Sequence, residues 1–280
     1  MQLMASCFVP PQYHTDPATV KPSRLRCLIG TTAAFYLSIA RTGLTGRRLA
    51  RRGTFDSHAF VHLSMRTARA VERCGGRLHV TGIEHLYGTP GPVVIVGNHM
   101  STLETWLLPS IIVPAKPLAF VVKDTLLTHP FFGPIMRAQP CIAVGRTNPR
   151  EDLKAVLEKG TEMLKNGRSV CIFPQSTRRF EFVEDEFNSL GVKLAKRAGA
   201  TVIPVALRTD FWGNGRFLKE LGPVGRHRDV HVAFGPPPPA GSTPQASHAH
   251  VVAFVRQHLQ EWGVPCLAPK TKATAATDEP

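Results

Sequence analysis

The chain has 280 residues, 43% of them hydrophobic, enough to bury one sizeable core, so we expect a single domain. Its formal net charge is +14, and the excess is local: between Lys21 and Arg77 twelve Lys and Arg stand against only Asp56 and Glu72. Such a patch suits nucleic acid or an anionic membrane surface, and the lack of zinc-ligand spacing, basic-leucine heptads or an aromatic ribonucleoprotein motif argues against nucleic acid.

Residues 1–22 carry scattered prolines without periodicity and read as a disordered N-terminus, with no basic n-region or long apolar run for a cleavable signal. Residues 23–76 read as a membrane-associating pair of basic helices. Cys27 to Ala40 is largely apolar and uncharged, with Arg24, Arg26 and Arg41 at its flanks. At ~1.5 Å per residue this run reaches only about 21 Å, short of a ~30 Å hydrocarbon core. It fits an interfacial or re-entrant helix, the alternative being a buried core helix. A Gly/Arg-rich linker is expected from Arg41 to Gly53, then a second helix from about Ser57 to Cys74 that Gly75-Gly76 stops.

Residues 77–264 alternate strand and helix patterns. Arg77 to Glu84 alternates like a strand, and Val93 to Val96 is a continuous apolar run of the kind buried on both faces. Further strands are expected at Pro117 to Val122, Cys141 to Val144, Val170 to Phe173, Val202 to Leu207 and Asp229 to Phe234. Pro204 marks the fourth of these as an edge or a bulge. Lys123 to Met136 reads as a broken helical hairpin. Longer helices follow Asn148-Pro149, cover Asn188 to Ala198, and close the domain at Ala246 to Trp262. Residues 265–280 read as a disordered tail. The fold class is α/β, a mixed, largely parallel central sheet flanked by helices and preceded by the basic helix pair. None of the six cysteines forms a C-x-x-C pair, which suits a reducing compartment.

Chemistry-bearing residues gather where these strands end. His99 follows the Val93 to Val96 run, and Glu104 lies five residues on. A carboxylate one helical turn beyond a strand-end imidazole can fix its tautomer and make it a general base. Ser101-Thr102-Leu103-Glu104 is equally a capping box, in which Glu104 bonds back to a backbone N–H. The same spacing also recurs at His79 and Glu84, so spacing alone does not decide. Arg146 ends a second strand, and Gln175-Ser176-Thr177-Arg178 follows a third. Guanidinium forks match phosphate oxygens, and hydroxyl or backbone donors hold an anion. Each has a plainer alternative: Arg146 pairing with Glu151 or Asp152, Arg178 with Glu181 or Glu184, and Ser176-Thr177 as turn residues.

Four blocks in order resemble the glycerolipid and lysophospholipid acyltransferase family, typified by 1-acyl-sn-glycerol-3-phosphate acyltransferases. They are Asn98-His99-Met100-Ser101-Thr102-Leu103-Glu104; Cys141 to Arg146; Phe173-Pro174-Gln175-Ser176-Thr177-Arg178; and Val202-Ile203-Pro204-Val205. Together they span roughly Leu78 to Phe234. The resemblance implies transfer of an acyl chain from acyl-CoA or an acyl carrier protein to a lysophospholipid hydroxyl, with His99 as base and Glu104 orienting it. Asn98 and Ser101 would be orienting residues. Arg146, Gln175, Ser176, Thr177 and Arg178 would hold the acceptor, and Pro204 would shape the acyl-donor site. The resemblance implies no metal and no redox cofactor, and it places the protein at the cytoplasmic face of the inner membrane. Three residues depart from the family pattern: Glu104 stands where Asp is usual, Gln175 replaces a Glu and Ser176 a Gly. The last two point to a different acceptor head group. A membrane-associated thioester hydrolase and a non-catalytic lipid-binding protein are the alternatives.

Overall fold

A computed structural model describes residues 8, 11–175, 177–216 and 218–267. Strand β1 (Tyr13–His14) precedes three helices, α1 (Arg24–Ile29), α2 (Thr31–Arg51) and α3 (Ser57–Arg73). Then come β2 (Leu78–Thr81), α4 (Ile83–Gly88), β3 (Val93–Gly97), α5 (Leu103–Ile112), β4 (Leu118–Lys123), α6 (Thr125–Thr128), α7 (Gly133–Ala138) and β5 (Cys141–Val144). The remainder is α8 (Pro149–Lys165), β6 (Ser169–Ile172), β7 (Phe182–Val183), α9 (Leu190–Ala198), β8 (Thr201–Arg208), β9 (Val230–Phe234), α10 (Pro244–Glu261) and β10 (Cys266–Leu267).

Eight strands form one sheet in the order β1-β2-β9-β8-β3-β6-β4-β5. From β8 to β5 every pairing is parallel, whereas β9 runs antiparallel to β8 and β1 antiparallel to β2. The sheet is therefore mixed and largely parallel, as its alternating pattern predicts. All five residues of β3 are buried because the sheet is covered on both sides. Val93 and Ile95 join a core that holds Phe35 of α2, Val71 of α3 and Leu107 of α5. Val94 and Val96 face the opposite core, with Val156 of α8, Leu194 of α9 and Val255 of α10.

Four expectations change. The Arg41 to Gly53 linker is helix as far as Arg51, because its glycines serve close packing. A side chain at Gly43 would lie 2.7 Å from the Phe131 ring, and one at Gly46 would lie 3.0 Å from Leu63. The Cys27 to Ala40 run is not one helix either, since Gly30, at φ 80°, separates α1 from α2. Within it Ala34, Phe35 and Ile39 are core residues, so the large apolar side chains left in solvent are Leu28 and Ile29 of α1. Pro204 lies in the sheet interior, with β3 and β9 on either side of its strand. Its carbonyl accepts from Gly235 N–H at 2.9 Å, so the missing donor falls where β9 has ended at Phe234. Finally, the described part of residues 1–22 is tied down: β1 pairs with β2, and the Thr15 hydroxyl donates to Glu72 at 2.7 Å. Cys266–Leu267 likewise pairs with β7, while residues 268–280 lie outside the described residues.

No helix among the described residues is long and apolar enough to cross a membrane.

Candidate active site

Because β3, β4, β5, β6 and β8 run parallel, their carboxyl ends share one edge, the place where open α/β sheets hold ligands. Asn98 fixes the start of the turn after β3. Its side-chain amide donates to Leu207 O at 2.7 Å, and its oxygen accepts from Leu207 N–H at 2.8 Å, which locks β3 to β8. His99 follows, with its ring stacked on Phe173 at 4.6 Å and 6°.

The His99 Nδ1 to Glu104 Oε2 distance is 2.5 Å. Glu104 is fully buried, and its other oxygen accepts from the N–H groups of Met100 and Ser101, at 2.6 and 2.9 Å, and from the Thr209 hydroxyl at 2.8 Å. A buried carboxylate is tenable only when its lone pairs are met this way. Both readings of the spacing therefore hold at once: one oxygen makes the capping-type bond and the other meets the imidazole. The helix itself begins later than Ser101 implies, at Leu103. The Ser101 hydroxyl accepts from Leu103 N–H at 3.1 Å and stands 2.9 Å from Thr209 Oγ1. His79 and Glu84 do not pair, since Glu84 lies exposed on α4.

His99 lines a cavity of about 830 Å³ that runs toward the packing of α2, α3 and α7. Much of its wall is apolar, with Phe55, Phe60, Trp106, Phe120, Phe132 and Met136. Arg146, Gln175, Thr177 and Arg178 also line it. Arg146 sits at φ 61°, a left-handed turn held by Asp152, whose carboxylate accepts from Gly145 and Arg146 N–H at 2.8 Å each. Burial, then the neighbouring charge of Arg178, pull the Arg146 guanidinium below its ordinary pKa, while Asp152 opposes them. Arg146, exposed, and Arg178, half-buried, thus bring two guanidinium groups to one cavity wall, which suits an anion.

Arg178 pairs with Glu220 at 2.6 Å rather than with Glu181 or Glu184, and also bonds the Thr102 hydroxyl. Burial alone would raise the Glu220 carboxyl, yet the Arg178 hydrogen bond and charge, a backbone bond and His129 bring it below its usual value. Lys219 bonds the Thr177 hydroxyl. Gln175 is buried, its oxygen accepts from His99 N–H at 2.8 Å, and its Nε2 has no hydrogen-bond partner among the described residues. Ser176 lies outside the described residues. Pro204 does not line the cavity; it is buried in β8 opposite Val96.

Sequence reasoning missed Thr209, Glu220 and Lys219. Thr209 was within reach of it, because Arg208-Thr209-Asp210 is a polar run at the end of an apolar strand, as His99 is. Glu220 and Lys219 belong to the segment between β8 and β9 and carry no pattern of their own.

Residues 77–208 match the family model described as acyltransferase. A 1-acyl-sn-glycerol-3-phosphate acyltransferase of Pseudomonas aeruginosa is 33% identical over 190 residues, 67% of this chain and 68% of that protein. A chloroplastic 1-acyl-sn-glycerol-3-phosphate acyltransferase of Arabidopsis thaliana is 29% identical over 163 residues, 58% of this chain and 43% of that protein. The crystal structure of PlsC, the 1-acyl-sn-glycerophosphate acyltransferase of Thermotoga maritima, superposes with a TM-score of 0.64 at 20% identity, over 88% of this chain and 99% of that one. The fold is thus shared with PlsC, and the chain belongs to the acyltransferase family of these enzymes.

Proposed function

We propose that the protein moves a fatty acyl chain from a thioester, carried on acyl-CoA or an acyl carrier protein, to the hydroxyl of a lysophospholipid, with lysophosphatidic acid as the first acceptor to test. The observation that carries this reading is the His99–Glu104 pair opening onto an apolar cavity beside Arg146 and Arg178. With Nδ1 held by Glu104, Nε2 is the nitrogen that accepts a proton. It takes the proton of the acceptor hydroxyl as that oxygen attacks the thioester carbonyl; the C–S bond then breaks and the thiolate recovers the proton from His99. Glu104 stabilises the transient imidazolium, so no covalent acyl-enzyme is needed.

The acceptor phosphate is assigned to Arg146 and Arg178, with Thr177 and Gln175 as neutral donors. The apolar part of the cavity, within the usual ~300–1,000 Å³ of ligand pockets, takes acyl chain. Leu28 is 81% exposed, next to Ile29 and close to Arg24 and Arg26; such a basic, apolar-tipped segment suits the interface of an anionic bilayer. The reading sets the enzyme on the cytoplasmic face, which a soluble thioester donor reaches. It calls for no redox cofactor.

The test is incubation of the purified protein in anionic vesicles with labelled lysophosphatidic acid and a long-chain acyl-CoA. Labelled phosphatidic acid is the expected product. Free fatty acid without phosphatidic acid would overturn the reading in favour of a thioesterase.

A further inference from the structure

Away from the acyltransferase cavity, three imidazoles lie in a row across three neighbouring strands. His14 of β1 stands opposite His79 of β2, which stands opposite His231 of β9. His14 Nδ1 and His79 Nδ1 are 2.9 Å apart, and His79 Nε2 is 3.7 Å from Asp229 Oδ2. A ring nitrogen of His79, one of His231 and a carboxylate oxygen of Asp229 all lie within 4.8 Å of one another. Both carboxylate oxygens of Asp229 accept from Arg77, at 2.9 and 3.0 Å. Trp262 stacks on the His231 ring at 4.9 Å.

We propose that His14, His79 and His231 form a binding site for a divalent transition metal of the zinc, copper or nickel class, separate from the acyl-transfer chemistry. Imidazole nitrogen is the donor these ions prefer, and three of them with one water complete a tetrahedral shell. At ~2.0–2.1 Å from the ion, tetrahedral ligands stand roughly 3.3 Å apart, so the two Nδ1 atoms already sit near ligand spacing. Asp229 does not enter the shell, since Arg77 occupies it. Its Oδ2 stands 3.7 Å from His79 Nε2, longer than a hydrogen bond, and its charge favours a proton on that nitrogen, which leaves the Nδ1 lone pair for the ion.

The rings of His79 and His231 lie 20° from parallel at 4.8 Å, so their lone pairs do not yet converge. Exposed His14 and half-buried His231 flank His79 on the neighbouring strands, and binding of the ion requires their rings to turn toward it. The other charged groups nearby are already matched, Arg208 and Arg228 both pairing with Asp210 at 3.3 and 3.0 Å. The site has a structural consequence. Strand β1 is only two residues long, and an ion shared by β1, β2 and β9 fastens the segment that leads into α1 and α2.

The test is titration of the metal-free full-length protein with Zn²⁺ or Ni²⁺ by calorimetry, read alongside thermal unfolding. One equivalent is expected to bind and to raise the unfolding midpoint, as any ligand specific for the native state does. His14→Gln, at an exposed position whose change spares the fold, and His231→Ala should each weaken binding at least about tenfold, and Asp229→Asn by about tenfold. His62→Ala, on the exposed face of α3, should leave binding unchanged. Absence of stoichiometric binding would overturn the proposal and leave the 2.9 Å contact as a hydrogen bond between two imidazoles. So would binding that His14→Gln and His231→Ala both leave intact.

Discussion

The Thr209 hydroxyl donates to Glu104 Oε1 across 2.8 Å and so joins the end of β8 to the carboxylate that meets His99. The two residues are 105 positions apart in the chain and meet because β3 and β8 are parallel neighbours. A hydrogen bond to a charged group is worth about 1.5–3 kcal/mol, and ~1.4 kcal/mol is tenfold in rate. Thr209→Val should therefore lower kcat roughly tenfold or more while acceptor KM stays put. A rise in KM at constant kcat would assign Thr209 to binding instead.

Glu104→Gln tests which proton His99 carries. The amide oxygen keeps the Met100 and Ser101 N–H bonds, but its NH₂ then donates to His99 Nδ1 and drives the ring proton onto Nε2, so the base is lost. Activity should fall by about 10²–10⁴ with little change in the unfolding midpoint. Glu84→Gln, on the exposed α4, should keep full activity. Equal losses in the two variants would point to the wrong His–Glu pair.

Gln175 combines one satisfied oxygen with one unmatched, buried Nε2. An unmet buried donor costs about 1–3 kcal/mol, which a substrate oxygen can restore. Gln175→Glu keeps an acceptor for His99 N–H and removes the donor, so kcat/KM should drop by roughly tenfold. Unaltered kinetics in that variant would show that no substrate oxygen meets the amide.

Gly97 is the last residue of β3, directly before the Asn98-His99 turn. A side chain there would come within 2.5 Å of Val205 O and 2.4 Å of Val205 Cγ1, and backbone at that distance has nowhere to move. Gly97→Ala should destabilise by about 1–3 kcal/mol, seen as a lower unfolding midpoint. It should also reduce activity, because His99 moves with the strand end. An unchanged midpoint would contradict the close β3–β8 contact.

The strands that carry the site were legible because they are buried on both faces and therefore read as unbroken apolar runs, such as Val93 to Val96. His99, Arg146 and Gln175 could be found as polar residues placed where those runs stop. Gly43 and Gly46 misled, since glycine signals a breaker locally and only contact with Phe131 and Leu63 makes it a packing residue. Two-residue strands such as Tyr13–His14 are too short to show a period. Pro204 read as an edge because the end of β9 beside it is a tertiary fact. The Glu220 partner of Arg178 was hidden for the same reason, 42 residues away in an irregular segment.

The central claim is that His99 activates an acceptor hydroxyl against a thioester. Its most direct measurement is release of free thiol from a long-chain acyl-CoA by the vesicle-bound protein, wild type against His99→Ala, with and without lysophosphatidic acid. The account predicts release that requires both His99 and the acceptor, with the variant still folded by thermal unfolding. Release that persists in His99→Ala, or that proceeds at full rate without any acceptor, would contradict it.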